Sequence, residues 1–137
     1  GVQTCALPIF ACANALVMVA APRLVISAYV DAAAPANAAL VALAMRYLRV
    51  AAGFQLADAA QTIAAGSLRG LQDTAVPAAI AIAGYWLAGF ATALWLGLYT
   101  PLAGVGVWTG LLVGLVAVAV LLGWRWHRRA ALGLLPG

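Results

Sequence analysis

The 137-residue sequence has no lysine and no glutamate; its charges are seven arginines and three aspartates, Asp31, Asp58 and Asp73. Charged residues make up 7% of the chain, against roughly a quarter in an ordinary soluble domain. So few charges cannot cover a water-facing surface, and a chain that is 67% hydrophobic belongs in a membrane. The arginines are scattered singly among apolar runs apart from Arg125, Arg128 and Arg129. A net charge of +4 therefore offers no basic stripe for nucleic acid, and no nucleic-acid partner is expected. The two cysteines, Cys5 and Cys12, and the one histidine, His127, make neither a disulfide framework nor a metal-ligand spacing. No P-loop is present. These absences leave no set of side chains for hydrolytic or cofactor chemistry, and the chain is expected not to be an enzyme and to carry no cofactor.

Long apolar runs are what the sequence does have, and one of them contains an acid. Arg49 and Arg69 bracket a stretch that spans about 30 Å as a helix, roughly the hydrocarbon thickness of a bilayer. Asp58 lies near its middle. An ionised carboxylate at that depth costs at least about 2.5 kcal/mol, so it is kept only facing a partner, a cation or water. At 100° per residue Gln55, Gln61 and Thr62 share its side of the helix, and Ala51 and Ala65 extend the stripe. Val50, Leu56 and Ile63 lie opposite, suited to lipid or a packed neighbour. The polar edge is expected to turn inward, with Asp58 as the functional centre.

Gly1 to Ile9, GVQTCALPI, is the translation in one frame of a widely used sequencing-library adapter and is expected to be an artefact. The native product is then expected to start upstream, leaving Cys12 as a small core residue. Phe10 to Ala21 reads as the back half of a helix that Pro22 and Arg23 end, and residues 24–30 as an interfacial turn. The second helix is expected over about 36–68, with Arg46 and Arg49 extending their heads to the outer interface. Gly70 is expected in the left-handed position after it, and Asp73 or Thr74 as a cap for the next helix. A third span is expected over 75–99, with Tyr85 and Trp86 about halfway down, either filling a helix interface or lining a drug-sized cavity.

A fourth span is expected over about 105–124. There Gly106, Gly110 and Gly114 recur at every fourth residue, a ladder that lets another helix approach closely. The arginines after Trp124 read as an interfacial anchor, and the tail over 131–137 as unordered. The fold class expected is an all-α polytopic transmembrane helix bundle.

The linked motifs FQLADAAQ, GSLRGLQDTAVP, GYWLAG and GVGVWTGLLVGL resemble the C-terminal part of multidrug and toxic compound extrusion (MATE) transporters, from Phe10 onward. The resemblance implies a fragment of a protein with two six-helix lobes: about three and a half spans of the C-terminal lobe, over 10–130, with the N-terminal lobe missing. It implies a multi-pass protein of the bacterial inner membrane that exchanges Na⁺ or H⁺ for cationic or amphipathic drugs. It also places the C-terminus and the loop over 69–77 in the cytoplasm. Asp58 looks like the tenth-helix aspartate that takes part in cation coupling in the NorM-like branch. Gln55, Gln61, Thr62, Tyr85 and Trp86 are then candidate contacts for ion or substrate, and any Na⁺ would sit at Asp58. Partner molecules implied are membrane lipid, drug-like small molecules and the missing lobe. Two other readings stand beside this one: a lipid-linked substrate flippase of the same superfamily, and a non-transporting membrane interaction module.

Overall fold

The computed structural model describes residues 2–134 and is all-helical among them. It divides into two compact units, Gly1–Leu56 and Ala57–Gly137. Among the described residues three helices are long and apolar enough to cross a membrane: Pro35–Gly70, Ala75–Tyr99 and Ala103–His127.

In the first unit, α1 runs Val2–Ala20 with Pro8 inside it, and α2 runs Pro22–Ser27. The break between them falls at Ala21 (φ −132°, ψ 52°), because Pro22 disfavours helical backbone in the residue before it and starts the new helix itself. Ala11, Ala15, Ile26, Val41 and Ala52 are the unit's buried apolar residues. Cys12 is exposed, contrary to the expectation of a core position. It lines an open groove of about 400 Å³ with Ala15, Leu16, Val19, Arg49, Ala52, Gly53 and Leu56. The loop before the next helix is organised by Asp31, whose Oδ1 accepts the Ala33 amide at 3.0 Å and whose carbonyl accepts Asn37 Nδ2 at 2.9 Å.

A 3-10 turn over Pro35–Asn37 leads into α3, Ala38–Gly70, a single 33-residue helix. It contributes its first part to one unit and its second to the other. Gly70 stays helical, and the left-handed residue is Gln72 (φ 61°). The chain turns at Gln72 because the Leu68 carbonyl accepts both the Leu71 and Asp73 amides, which tightens the last turn of the helix.

The second unit continues with α4, Ala75–Ala83, a π-helical segment over Gly84–Phe90, and α5, Ala91–Tyr99. After a turn at Pro101, α6 runs Ala103–His127. The glycine ladder of α6 is buried and sets how closely the hairpin closes. A Cβ placed at Gly110 falls 2.2 Å from the Ala93 nitrogen, and one at Gly114 falls 2.5 Å from Gly89 Cα. Backbone therefore touches backbone, which recovers dispersion energy that a lipid-facing surface cannot supply. Below the ladder, Leu68, Val118 and Leu122 form the buried core, with Ile80, Trp126 and Leu134 against it.

Two polar features at this end depart from expectation. Asp73 caps no helix: its Oδ2 accepts Arg125 Nε at 2.6 Å, and the two side chains are 7% and 16% exposed. Thr74 precedes α4 without a side-chain cap bond. The tail is ordered as far as Leu134, because Gly133 (φ 68°) lets the Leu134 amide reach the Arg129 carbonyl while the Leu134 side chain meets the core. Residues 135–137 of the tail lie outside the described residues.

Gly110→Val is expected to destabilise the chain by about 1–3 kcal/mol through forced separation of the hairpin. Gly123→Ala, where a Cβ meets nothing within 4 Å, is expected to be neutral or stabilising. Thermal unfolding in detergent measures both; equal losses would show that the ladder is not a close contact. In the same assay Asp73→Asn and Arg125→Gln should each lower the midpoint, and the double variant should lose little beyond the worse single one.

Candidate functional site

Asp58 occupies the second-unit part of α3, flanked by buried Ala57 and Ala59, and its own side chain is exposed, so within this chain the polar edge does not turn inward as expected. Among the described residues it accepts no hydrogen bond and forms no ion pair. The other two acids are engaged, Asp31 in its turn and Asp73 with Arg125. Asp58 is thus the acid with nothing to neutralise it, on a helix whose length and hydropathy suit a bilayer. No cluster of three or more His, Cys, Asp or Glu side chains exists among the described residues.

Gln61 stands three residues further along and is half-buried, while Thr62 is exposed. The Tyr85 hydroxyl donates to Gln61 Oε1 at 2.5 Å. Two candidate residues that lie 24 positions apart in sequence are therefore joined, α3 to the π-helical segment. In this arrangement one lone pair of the Gln61 oxygen is taken by the Tyr85 hydroxyl, leaving its second lone pair and the amide nitrogen to offer. Gln55 precedes Asp58 by three residues and belongs to the first unit, where it is half-buried.

Trp86 is 65% exposed, and its ring packs at a tilt against Phe90 with centroids 5.4 Å apart. Neither Tyr85 nor Trp86 is buried in a helix interface; the glycines on either side of them are. Gly84 and Gly89 face α6, where a Cβ at Gly84 would fall 2.3 Å from Val118 Cγ2. The aromatic pair consequently points away from the hairpin contact, and Tyr85 reaches α3. The wider π turn was not anticipated from the sequence. The available signal was the five-residue spacing of Gly84 and Gly89 in GYWLAGF, where α-helical spacing would be three or four. Such segments are rare and concentrate at functional sites.

The chain is similar to known proteins. The MatE family model matches residues 2–95. The chain is 52% identical over 114 residues to a probable multidrug resistance protein NorM of Mesorhizobium japonicum, covering 83% of this chain and 24% of that protein. It is 44% identical over 118 residues to the multidrug resistance protein NorM of Burkholderia vietnamiensis, covering 86% of this chain and 26% of that one. A probable NorM of Burkholderia pseudomallei is 45% identical over 122 residues, 88% of this chain and 26% of its own length. The chain spans about a quarter of the length of the curated relatives it matches.

Tyr85→Phe is expected to cost about 1 kcal/mol of stability by leaving the Gln61 oxygen without its donor. Gln61→Leu added to it should cost little more. A double-mutant cycle on unfolding reads the coupling, and full additivity would mean that the two side chains do not interact.

Proposed function

The chain belongs to the MatE family, a family of multi-pass membrane transporters and not of enzymes, and from that membership we propose that it forms part of a secondary active multidrug efflux antiporter. The transporter exchanges Na⁺ or H⁺ for cationic or amphipathic drugs across the bacterial inner membrane, with Asp58 as the coupling carboxylate. The observation that carries this reading is the sorting of the three acids: the side chains of Asp31 and Asp73 are engaged, and that of Asp58 has no bonded partner among the described residues.

In a water-poor site a carboxylate is held as the neutral acid or with a cation. A cationic drug competes for the same charge. Alternating access of two lobes exposes that charge to one side of the membrane at a time, so drug and ion travel in opposite directions on one carboxylate. In this account the exposed edge of α3 bearing Asp58 and Thr62 lines the cavity shared with the remaining helices of the transporter. Trp86 offers a ring face to the drug, worth about 0.5–2 kcal/mol for a cation.

Expressed within a complete transporter reading frame in a drug-sensitive host, Asp58→Asn is expected to reduce ion-driven efflux to the level of cells without the gene. Thr62→Val is expected to leave most of it. Efflux of a fluorescent cationic dye, started by an imposed ion gradient, measures both; undiminished efflux by Asp58→Asn removes Asp58 from the mechanism.

A further inference from the structure

Four of the seven arginines belong to the end of the second unit where α3 and α6 finish: Arg69, Arg125, Arg128 and Arg129. That these two helix ends are neighbours follows from Leu68 packing with Leu122 and Trp126, and from the ion pair between Asp73 and Arg125. Asp73 is the acid of this end, and Arg125 consumes it. The other three guanidiniums have no carboxylate among the described residues.

Two of those three are held by tryptophan. Arg128 Cζ lies 4.8 Å from the centroid of the Trp124 ring, and Arg129 Cζ lies 4.4 Å from that of Trp126. Stacking engages the face of a guanidinium and leaves its in-plane N–H donors free, apart from the one Nη1 donor that Arg129 gives to the Trp126 carbonyl at 3.0 Å. The side chains are thus ordered before any ligand arrives, and the donors that remain match the oxygens of a phosphodiester. Trp124 is 55% exposed at the exit of a membrane-spanning helix, the depth at which indoles sit among lipid headgroups.

We propose that Arg128 and Arg129, stacked on Trp124 and Trp126 and supported by Arg69, form a binding site for the phosphate headgroup of an anionic phospholipid at the end of α6. Charge complementarity selects this occupant: three guanidiniums with no carboxylate partner among the described residues stand at the end of a helix long and apolar enough to cross a membrane, and phosphodiesters are the abundant anions of the headgroup layer there. The Asp73–Arg125 pair has a separate task, closing the turn after α3 onto α6 so that Arg69 is carried to the same end. The proposal does not depend on the coupling role of Asp58.

The test uses the full chain in lipid nanodiscs that contain phosphatidylglycerol in a phosphatidylcholine background, with retained lipids counted by native mass spectrometry after gentle release. Phosphatidylglycerol should be retained in preference to phosphatidylcholine. Preference should fall about fivefold per arginine removed, hence roughly thirtyfold in Arg128→Gln/Arg129→Gln. Arg46→Gln/Arg49→Gln, which removes equal charge elsewhere, should keep it. Arg128→Lys/Arg129→Lys retains the charge and should keep part of the preference, which separates headgroup recognition from a folding defect. Equal loss in the Arg46/Arg49 control, no preference in the unaltered chain, or displacement of the lipid by inorganic phosphate alone would overturn the proposal.

Discussion

Hydrocarbon supplies no hydrogen bonds, so every polar group carried into a bilayer has to find its partner within the protein. Within the helices that constraint is met by side chains bonding the backbone or each other, and two of the three acids, both in loops, are engaged as well. Asp31 turns back onto its own loop, Asp73 is buried against Arg125, and the Thr100 and Thr109 hydroxyls donate to the carbonyls four residues earlier on their helices, those of Leu96 and Val105. Gln61 is met by Tyr85. Asp58 stands outside this pattern. Of the three acids it is the one whose side chain has no bonded partner among the described residues, which is why the coupling proposal centres on it.

The hairpin of α5 and α6 and the π-helical segment supply the frame. Glycines on both partners remove the side chains that would hold the backbones apart, and the contact at Gly89 and Gly114 fixes where the widened turn sits. The widening in turn sets where Tyr85 and Trp86 point. The Tyr85 phenol of this segment bonds Gln61 and so joins the segment to α3. The same unit carries, at its far end, the ion pair of Asp73 with Arg125 and the arginines stacked on Trp124 and Trp126.

Much of this was legible in the residues. Spacing of apolar runs between Arg49, Arg69, Pro77, Pro101 and Trp124 located three membrane-spanning helices, and the four-residue repeat of Gly106, Gly110 and Gly114 announced a close contact. What was not legible involved partners distant in sequence. Asp73 reads as a helix cap because it precedes α4, and only the return of α6 brings Arg125 to it, a bond between two opposite charges in place of one between a carboxylate and a backbone amide. Gly70 reads as the turn glycine, yet the hydrogen bonds to Leu68 move the left-handed residue to Gln72. The tail reads as loose until Leu134 is seen against the core of Leu68, Val118 and Leu122. The π segment escaped for a different reason: a period above four residues per turn leaves no hydrophobic pattern within seven residues.

The central claim is that Asp58 is a mid-membrane carboxylate that exchanges its cation for drug. It is tested most directly by its chemistry with carbodiimides in the complete transporter reconstituted in vesicles, read residue by residue by mass spectrometry. A lipid-soluble carbodiimide should modify Asp58 while a water-soluble one modifies it far more slowly, and adding the coupling cation or a cationic drug should protect it. Modification at equal rates by both reagents, unaffected by ion or drug, would contradict the account.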